Sequence, residues 1–370
     1  MIMLEHNEKI IACERIPTRN SDRDPFSIIM KFFGGWLLRD RFGILNHYLP
    51  YRISDQVDEI PKPYQEPVTV HEILDELISD VCAKNHRIAI MWSGGVDSTA
   101  LVCGFMKHIK EEEYSERLVV IGHTSSPEEY PLFYHMMLDK GIEVIISEDP
   151  IEVLRNVDID CFTDGNGADQ IFGHDMHLLD TSLYNKPLIE GLAKMWMKMY
   201  PNSYLSESTL NVISNIIFDY GTRFGLKVEQ FCEFAWLFNF GLKMSYKPHQ
   251  YPLLVAGSKN EGKGITIYAH EKMQRWAVTN FPNIRKANGY ENPRVYKMPL
   301  KHYILDVTSD FAYFKSKGKR NSWYNVDVPR KTVNVLTDNG IKIFSSPDIV
   351  VDSFKAQNRL MREVEKTFRK

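Results

Sequence analysis

The sequence predicts an α/β protein built on a parallel, twisted sheet with flanking helices and a mainly α C-terminal part. Three observations carry that expectation. Short apolar runs of the buried-strand kind recur at Arg87 to Trp92, Leu118 to Ile121, Glu143 to Ile146 and Ile159 to Phe162. Segments with helical apolar spacing lie between them, and strands that alternate with helices imply crossover connections and hence parallel pairing. Two glycine-rich turns, at Ser93 to Ser98 and Thr163 to Asp169, each follow a strand end. Open α/β sheets bind ligands outside the carboxyl ends of their strands, so both turns are expected to face one pocket.

Taken in order, residues 1–67 read as an N-terminal segment ending in an extended linker, because Pro61, Pro63 and Pro67 each remove a donor and restrict the preceding residue. Thr69 to Glu72 has the T-x-x-E form of a capping box, and Val70, Ile73, Leu74, Leu77, Ile78 and Val81 follow at helical spacing. An amphipathic helix is expected there. The run Ile88, Ala89, Ile90, Met91 is apolar without alternation, as a strand buried on both faces requires, and Ser93-Gly94-Gly95 closes it. From Val96 a helix runs to about Lys110, and the alternation continues to about residue 180, so 68–180 is expected to form an α/β core. Residues 181–370 are read as a mainly helical part. Leu210 to Phe218 and Phe231 to Leu242 look like buried helices, and Asp348 to Lys370 like a helix covering the body.

Composition narrows the function. The 370 residues suffice for a sizeable core, and 44% hydrophobic with 25% charged residues matches soluble globular chains rather than disordered or fibrous ones. With 45 basic and 48 acidic side chains the formal charge is -3, which supplies no chain-wide attraction to nucleic acid or an anionic membrane. The five cysteines are scattered without a CxxC pair, which suits neither a disulfide framework nor a zinc ribbon. No basic region followed by an apolar stretch opens the chain, and no apolar window approaches the ~20 residues a spanning helix needs. A soluble protein of the reducing cytoplasm is the expectation.

The strongest chemical signal is strand, Ser93-Gly94-Gly95-Val96-Asp97-Ser98, helix. Adjacent glycines let the backbone approach an anion, the following helix begins with unpaired N–H groups, and two serine hydroxyls add donors. Phosphate binding follows. Asp97 would repel a bare phosphate, so its carboxylate makes sense in such a loop if it holds Mg2+ shared with phosphate oxygens. The bland alternative is a Gly-Gly turn in which Asp97 and Ser98 merely cap a helix.

Ser93 to Ser98 resembles the SGGxDS pyrophosphate loop of the N-type ATP pyrophosphatases, a superfamily that includes asparagine, GMP and NAD synthetases and tRNA lysidine synthetases. A Walker A loop would need GK[ST], which the chain lacks at this position. The segment Asp164-Gly165-Asn166-Gly167-Ala168-Asp169-Gln170-Ile171-Phe172-Gly173 is similar to the SGEGADELFGG turn of asparagine synthetases. The resemblance implies an adenine nucleotide alpha hydrolase-like fold of HUP type, and cleavage of ATP between its α and β phosphates. It assigns Asp97 and Asp169 to Mg2+ and pyrophosphate. Ser93, Gly94, Gly95, Val96, Asp97, Ser98, Gly122 and Gly165 fall to nucleotide binding.

A third similarity lies in Lys297-Met298-Pro299-Leu300-Lys301 and Lys315-Ser316-Lys317-Gly318-Lys319, which are similar to the K-x-x-L-R and R-x-K stretches near the end of the synthetase domain. It puts Lys317 on the family's catalytic lysine, where positive charge stabilises charge building on the α-phosphate. A solvated basic loop of Lys315, Lys317, Lys319 and Arg320 is the competing reading. A nucleic-acid patch is a third, without the aromatic interleaving that would support it.

The chain departs from asparagine synthetases in two places. The glutamate of the second turn is Asn166 here, and an amide cannot act as a base. The amino terminus reads Met1-Ile2-Met3, with its first cysteine at Cys13, so the glutaminase domain and its N-terminal cysteine are not expected. Nitrogen would then come as free ammonia, from a separate ammonia-supplying partner, or as an amine substrate. The resulting expectation is a carbon-nitrogen ligase that adenylates a carboxylate with ATP and Mg2+. The competing functions are a tRNA- or base-modifying enzyme of the same superfamily and a non-catalytic nucleotide-binding protein. His174-Asp175-x-His177 carries metal-capable residue types but reads first as polar residues at a helix start. Cys103 and Cys161 read as core fillers, and His123 stands where it would line an adenine site.

Overall fold

A computed structural model describes residues 2–6, 9–13, 42, 59–172, 181–183, 185–199, 207–244, 255, 257–288, 297–316, 332–337 and 340–345. The chain divides into two compact units, one of residues 61–172 and 250–329, the other of residues 1–60, 173–249 and 330–370.

The first of these units is an α/β layer structure. Its strands are β1 (Ile88–Trp92), β2 (Leu118–His123), β3 (Glu143–Ser147), β4 (Cys161–Asp164) and β5 (Gly264–Ile265). They form one sheet in the order β3-β2-β1-β4-β5, and every neighbouring pair is parallel. Every residue of β1, β2 and β4 is buried, whereas those of the edge strand β3 are half-buried. Burial on both faces is why the central strands read as unbroken apolar runs. One side of the sheet packs Ala89, Met91, Val119, Ile121 and Phe162 with Leu154, Ile159 and Val255.

Helix α1 (Val70–Lys84) begins with the expected capping box: the Glu72 N–H donates to Thr69 Oγ1 at 3.2 Å, and the Thr69 N–H donates to Glu72 Oε2 at 2.8 Å. Helix α2 (Val96–His108) is buried without interruption from Ser98 to Met106. A helix apolar all round must be covered on several sides, and α1 and α6 (Met298–Thr308) both pack on it. Between them come α3 (Pro150–Asn156), α4 (Ala168–Phe172) and α5 (Glu271–Asn288), with α7 (Phe311–Ser316) following α6. Asp75 of α1 ties the three packed helices together, accepting from His108 Nε2 at 3.1 Å, from the Tyr303 hydroxyl at 2.5 Å and from Lys107.

In the other unit, helices Leu188–Met199, Glu207–Arg223 and Phe231–Phe238 bear out the helical reading of that stretch. It also holds a four-stranded sheet. Ile2–His6 pairs antiparallel with Lys9–Cys13 and parallel with Thr332–Thr337, which pairs antiparallel with Gly340–Ser345. The helix expected over Asp348 to Lys370 lies outside the described residues. Among the described residues no helix is long and apolar enough to cross a membrane.

Candidate functional site

The first glycine-rich turn connects β1 to α2 at the carboxyl edge of the sheet. Gly94 has φ +75°, a left-handed conformation, and a Cβ on it would stand 2.6 Å from the Ser126 carbonyl oxygen, so only glycine fits. The Ser93 N–H donates to Ser98 Oγ at 3.1 Å, the two serine hydroxyls lie 3.1 Å apart, and the Gly95 N–H reaches Ser93 Oγ at 3.3 Å. These contacts close the turn on itself. Trp92 fastens it to the helix, with Nε1 donating to Thr99 Oγ1 at 3.0 Å. At the helix start, Gly95 offers no side-chain cap. The first N–H groups of this largely buried helix thus meet no side-chain cap at the turn, an arrangement that favours an anion.

The second turn connects β4 to α4 and lies directly against the first. A Cβ on Gly165 would fall 2.8 Å from the Cβ of Asp97 and 3.0 Å from the backbone nitrogen of Ser98. The absent side chain is what lets the two backbones meet. Within the turn the Asp164 carboxylate accepts from the Asn166 N–H at 2.6 Å and from Asn166 Nδ2 at 2.7 Å. Such a short polar side chain bonding to the backbone two residues on stabilises a tight turn. Asn166 thus has a structural task in its own turn, and Gly167 follows with φ +95°.

Asp97 in the first turn of α2 and Asp169 in the first turn of α4 share one cation, the ammonium of Lys297. Lys297 Nζ pairs with Asp97 Oδ2 and lies 2.5 Å from Asp169 Oδ1. The lysine side chain is only 3% exposed and the carboxylates 21% and 25%. Lys297 precedes α6 with φ 58°, one of two left-handed residues that bracket that helix, the other being Ser309. Removing one member of a buried ion pair typically costs about 3–5 kcal/mol, since its partner is left uncompensated.

Around this centre, the Ser126 hydroxyl donates to the Trp92 carbonyl at 3.0 Å and accepts from the His123 N–H at 3.1 Å, joining the ends of β1 and β2 beside the first turn. His123 is buried, with Nδ1 2.8 Å from Ser125 Oγ and Nε2 3.4 Å from Glu148 Oε2. The Tyr130 ring stacks on Tyr313 of α7 at 3.7 Å between centroids, and its hydroxyl donates to Asp310 Oδ2 at 3.0 Å. Burial, followed by the neighbouring Tyr130 and then the charge of Glu129, pushes the Tyr313 phenol well above its ordinary value.

The structure therefore brings together Ser93, Gly94, Gly95, Val96, Asp97, Ser98, Gly165 and Asp169, and places Gly122 in β2 next to β1, where it pairs with Trp92. Lys317 lies outside the described residues, as does His174 to His177. Two residues of the constellation carry no site assignment in the sequence reading. Lys297 was visible only as the first letter of a K-x-x-L-x stretch. Tyr268, whose hydroxyl donates to the Asp97 carbonyl at 2.9 Å, belongs to no motif. The chain matches no model of a known protein family and no curated protein.

Proposed function

We propose that this protein is an ATP-dependent, AMP- and pyrophosphate-forming amide ligase of asparagine synthetase type, on a nucleotide-binding fold of HUP type. The observation that carries the proposal is the pairing of Asp97 and Asp169, from two separate glycine-rich turns, with a single cation at the carboxyl edge of a parallel sheet. Supporting it is the uncapped start of α2 beside Asp97.

The donor set fits Mg2+. Among the described residues no group of three or more His, Cys, Asp or Glu is gathered to hold a metal unaided, and Mg2+ is commonly held by one or two carboxylates plus substrate phosphates. When bound, Mg2+ would neutralise charge on the departing pyrophosphate. Asp97 and Asp169 would hold it, and the N–H groups at the start of α2 would orient the phosphates. A substrate carboxylate oxygen attacks the α-phosphorus and the α–β bridging bond breaks, its electron pair leaving on pyrophosphate. The amine nitrogen or ammonia then attacks the acyl carbon, and AMP leaves with the electrons of the acyl–oxygen bond. Lys297, together with Lys317 on the strength of the motif resemblance, supplies positive charge for these steps. Because Asn166 cannot take the amine proton, that proton passes to water or to a group of the acceptor.

A second reading, a nucleotide-binding protein without turnover, is favoured by one observation: Asn166 is engaged in holding its own turn. Exchange of labelled pyrophosphate into ATP, with a panel of carboxylic acids, separates the two. Acid-stimulated exchange that disappears in Asp97→Ala supports the ligase. Binding of ATP with neither exchange nor AMP release supports the second reading.

A further inference from the structure

We propose that the Lys297 ammonium excludes divalent cations from the place between Asp97 and Asp169 until a phosphate-bearing ligand draws it away. The pairing is two-sided, with Nζ reaching Asp97 Oδ2 and standing 2.5 Å from Asp169 Oδ1. The side chain is 3% exposed, so this ammonium is not a surface charge that water screens. Two carboxylates and one ammonium leave a net single negative charge. A divalent ion entering the same space would face the ammonium at short range in a poorly screened setting, and the repulsion would cancel much of what the carboxylates offer.

A route for relief is built in. The first turn of α2, which carries Asp97, begins without a side-chain cap, so an incoming polyphosphate finds backbone donors next to the lysine. Its negative charge gives the ammonium a new partner within reach of a flexible four-carbon stem. Tyr268 bonds the Asp97 carbonyl and Gly165 packs against the Asp97 Cβ and the Ser98 nitrogen, so the backbone that carries Asp97 is held while the lysine stem can change rotamer. Cation and nucleotide would therefore bind together, and the nucleotide-free protein would hold no divalent ion here. Only the identity of the relieving ligand rests on the ATP reading.

The test uses the full chain and Mn2+ as probe, followed by water-proton relaxation enhancement, which separates protein-bound Mn2+ from Mn2+ on free nucleotide. Without nucleotide, Lys297→Met is expected to bind one Mn2+ at least about tenfold more tightly than the wild type, and adding Asp169→Asn to Lys297→Met is expected to remove the gain. Equal Mn2+ affinity in wild type and Lys297→Met overturns the exclusion, as does a gain that survives Asp169→Asn. Lys297→Gln serves if the methionine variant does not fold. Should neither variant fold, the wild type decides: stoichiometric Mn2+ without nucleotide, lost in Asp97→Asn, overturns the inference, and Mn2+ uptake only on adding α,β-methylene-ATP supports it. If Lys297→Met gains Mn2+ but the analogue brings none into the wild type, the exclusion stands and the ATP reading falls.

Discussion

The phenol of Tyr268 donates a 2.9 Å hydrogen bond to the backbone carbonyl of Asp97. The same residue backs the second turn, since a Cβ on Gly167 would lie 3.3 Å from the Tyr268 Cβ and 3.4 Å from the Ala269 nitrogen. One fully buried side chain thus touches both glycine-rich turns. Burial first, and the Asp97 carboxylate after it, push this phenol well above its ordinary value, so it stays a neutral donor.

Tyr268→Phe keeps the ring and removes the donor, leaving a half-buried carbonyl with one hydrogen bond fewer. The expected loss is about 1–3 kcal/mol, a fall in Tm of roughly 2–4 °C for each kcal/mol. Because the carbonyl belongs to Asp97, nucleotide affinity should fall as well. Scanning calorimetry and equilibrium binding of ATP check the two effects, and an unchanged variant in both assays would remove Tyr268 from the site.

Gly165→Ala tests the contact between the turns. The added Cβ meets Asp97 and Ser98 backbone at distances that force one turn to shift. Overpacking of this kind costs about 1–3 kcal/mol. The displacement falls on the residues proposed to hold the phosphates, so ATP binding should weaken more than the change in Tm alone suggests. Retained affinity at lowered Tm would mean that the closeness of the turns is structural only.

Asp75 supplies a pH dependence. Burial by itself would raise its carboxyl, but hydrogen bonds from Lys107, Tyr303 and His108 outweigh it and hold the group below its ordinary value. A depressed carboxyl contributes stability that is complete above its unfolded value and is lost as pH falls through the folded one. The loss should therefore set in near pH ~4 and deepen below it. Thermal unfolding between neutral and acid pH should show Asp75→Asn less stable than wild type at pH 7, with the gap closing in acid. Parallel curves would remove Asp75 from the acid response.

The thiols test the proposed ligase against the competing tRNA- or base-modifying reading, in the form that handles sulfur through a reactive thiolate. Burial raises the Cys82 thiol to about 11 against the pull of Arg117, and raises Cys161 to about 12, with Cys103 shifted further the same way. Thiolate is the reactive form. In a Cys13→Ser background the native protein should react slowly with a disulfide reagent at pH 8, and all four remaining thiols should react once it is unfolded. Rapid labelling of Cys82 or Cys161 in the native state would speak for sulfur chemistry.

Much of the sheet and both turns were legible because their causes are local. Ile88 to Trp92 had to be apolar throughout to be covered on both faces, Thr69 and Glu72 cap their own helix, and Gly94 answers to its own φ. What escaped was set by distant partners. Lys297 and Tyr268 meet Asp97 across 200 and 171 positions of chain, and no spacing rule links residues so far apart. β5 has only two residues and joins the sheet beside β4, with the Phe162 N–H donating to the Lys263 carbonyl at 3.1 Å, too short a run to leave an apolar pattern. The strands Thr332–Thr337 and Gly340–Ser345 likewise take their place from pairing with each other and with Ile2–His6.

The most direct test is a crystal structure of the full chain with α,β-methylene-ATP and Mg2+. The expected result is a triphosphate against the N–H groups at the start of α2, with one Mg2+ ligated by both Asp97 and Asp169 and the Lys297 ammonium moved onto a phosphate oxygen. Nucleotide bound away from the two turns, or a cation that engages only one of the two aspartates, would contradict the shared site on which the proposed ligase chemistry depends.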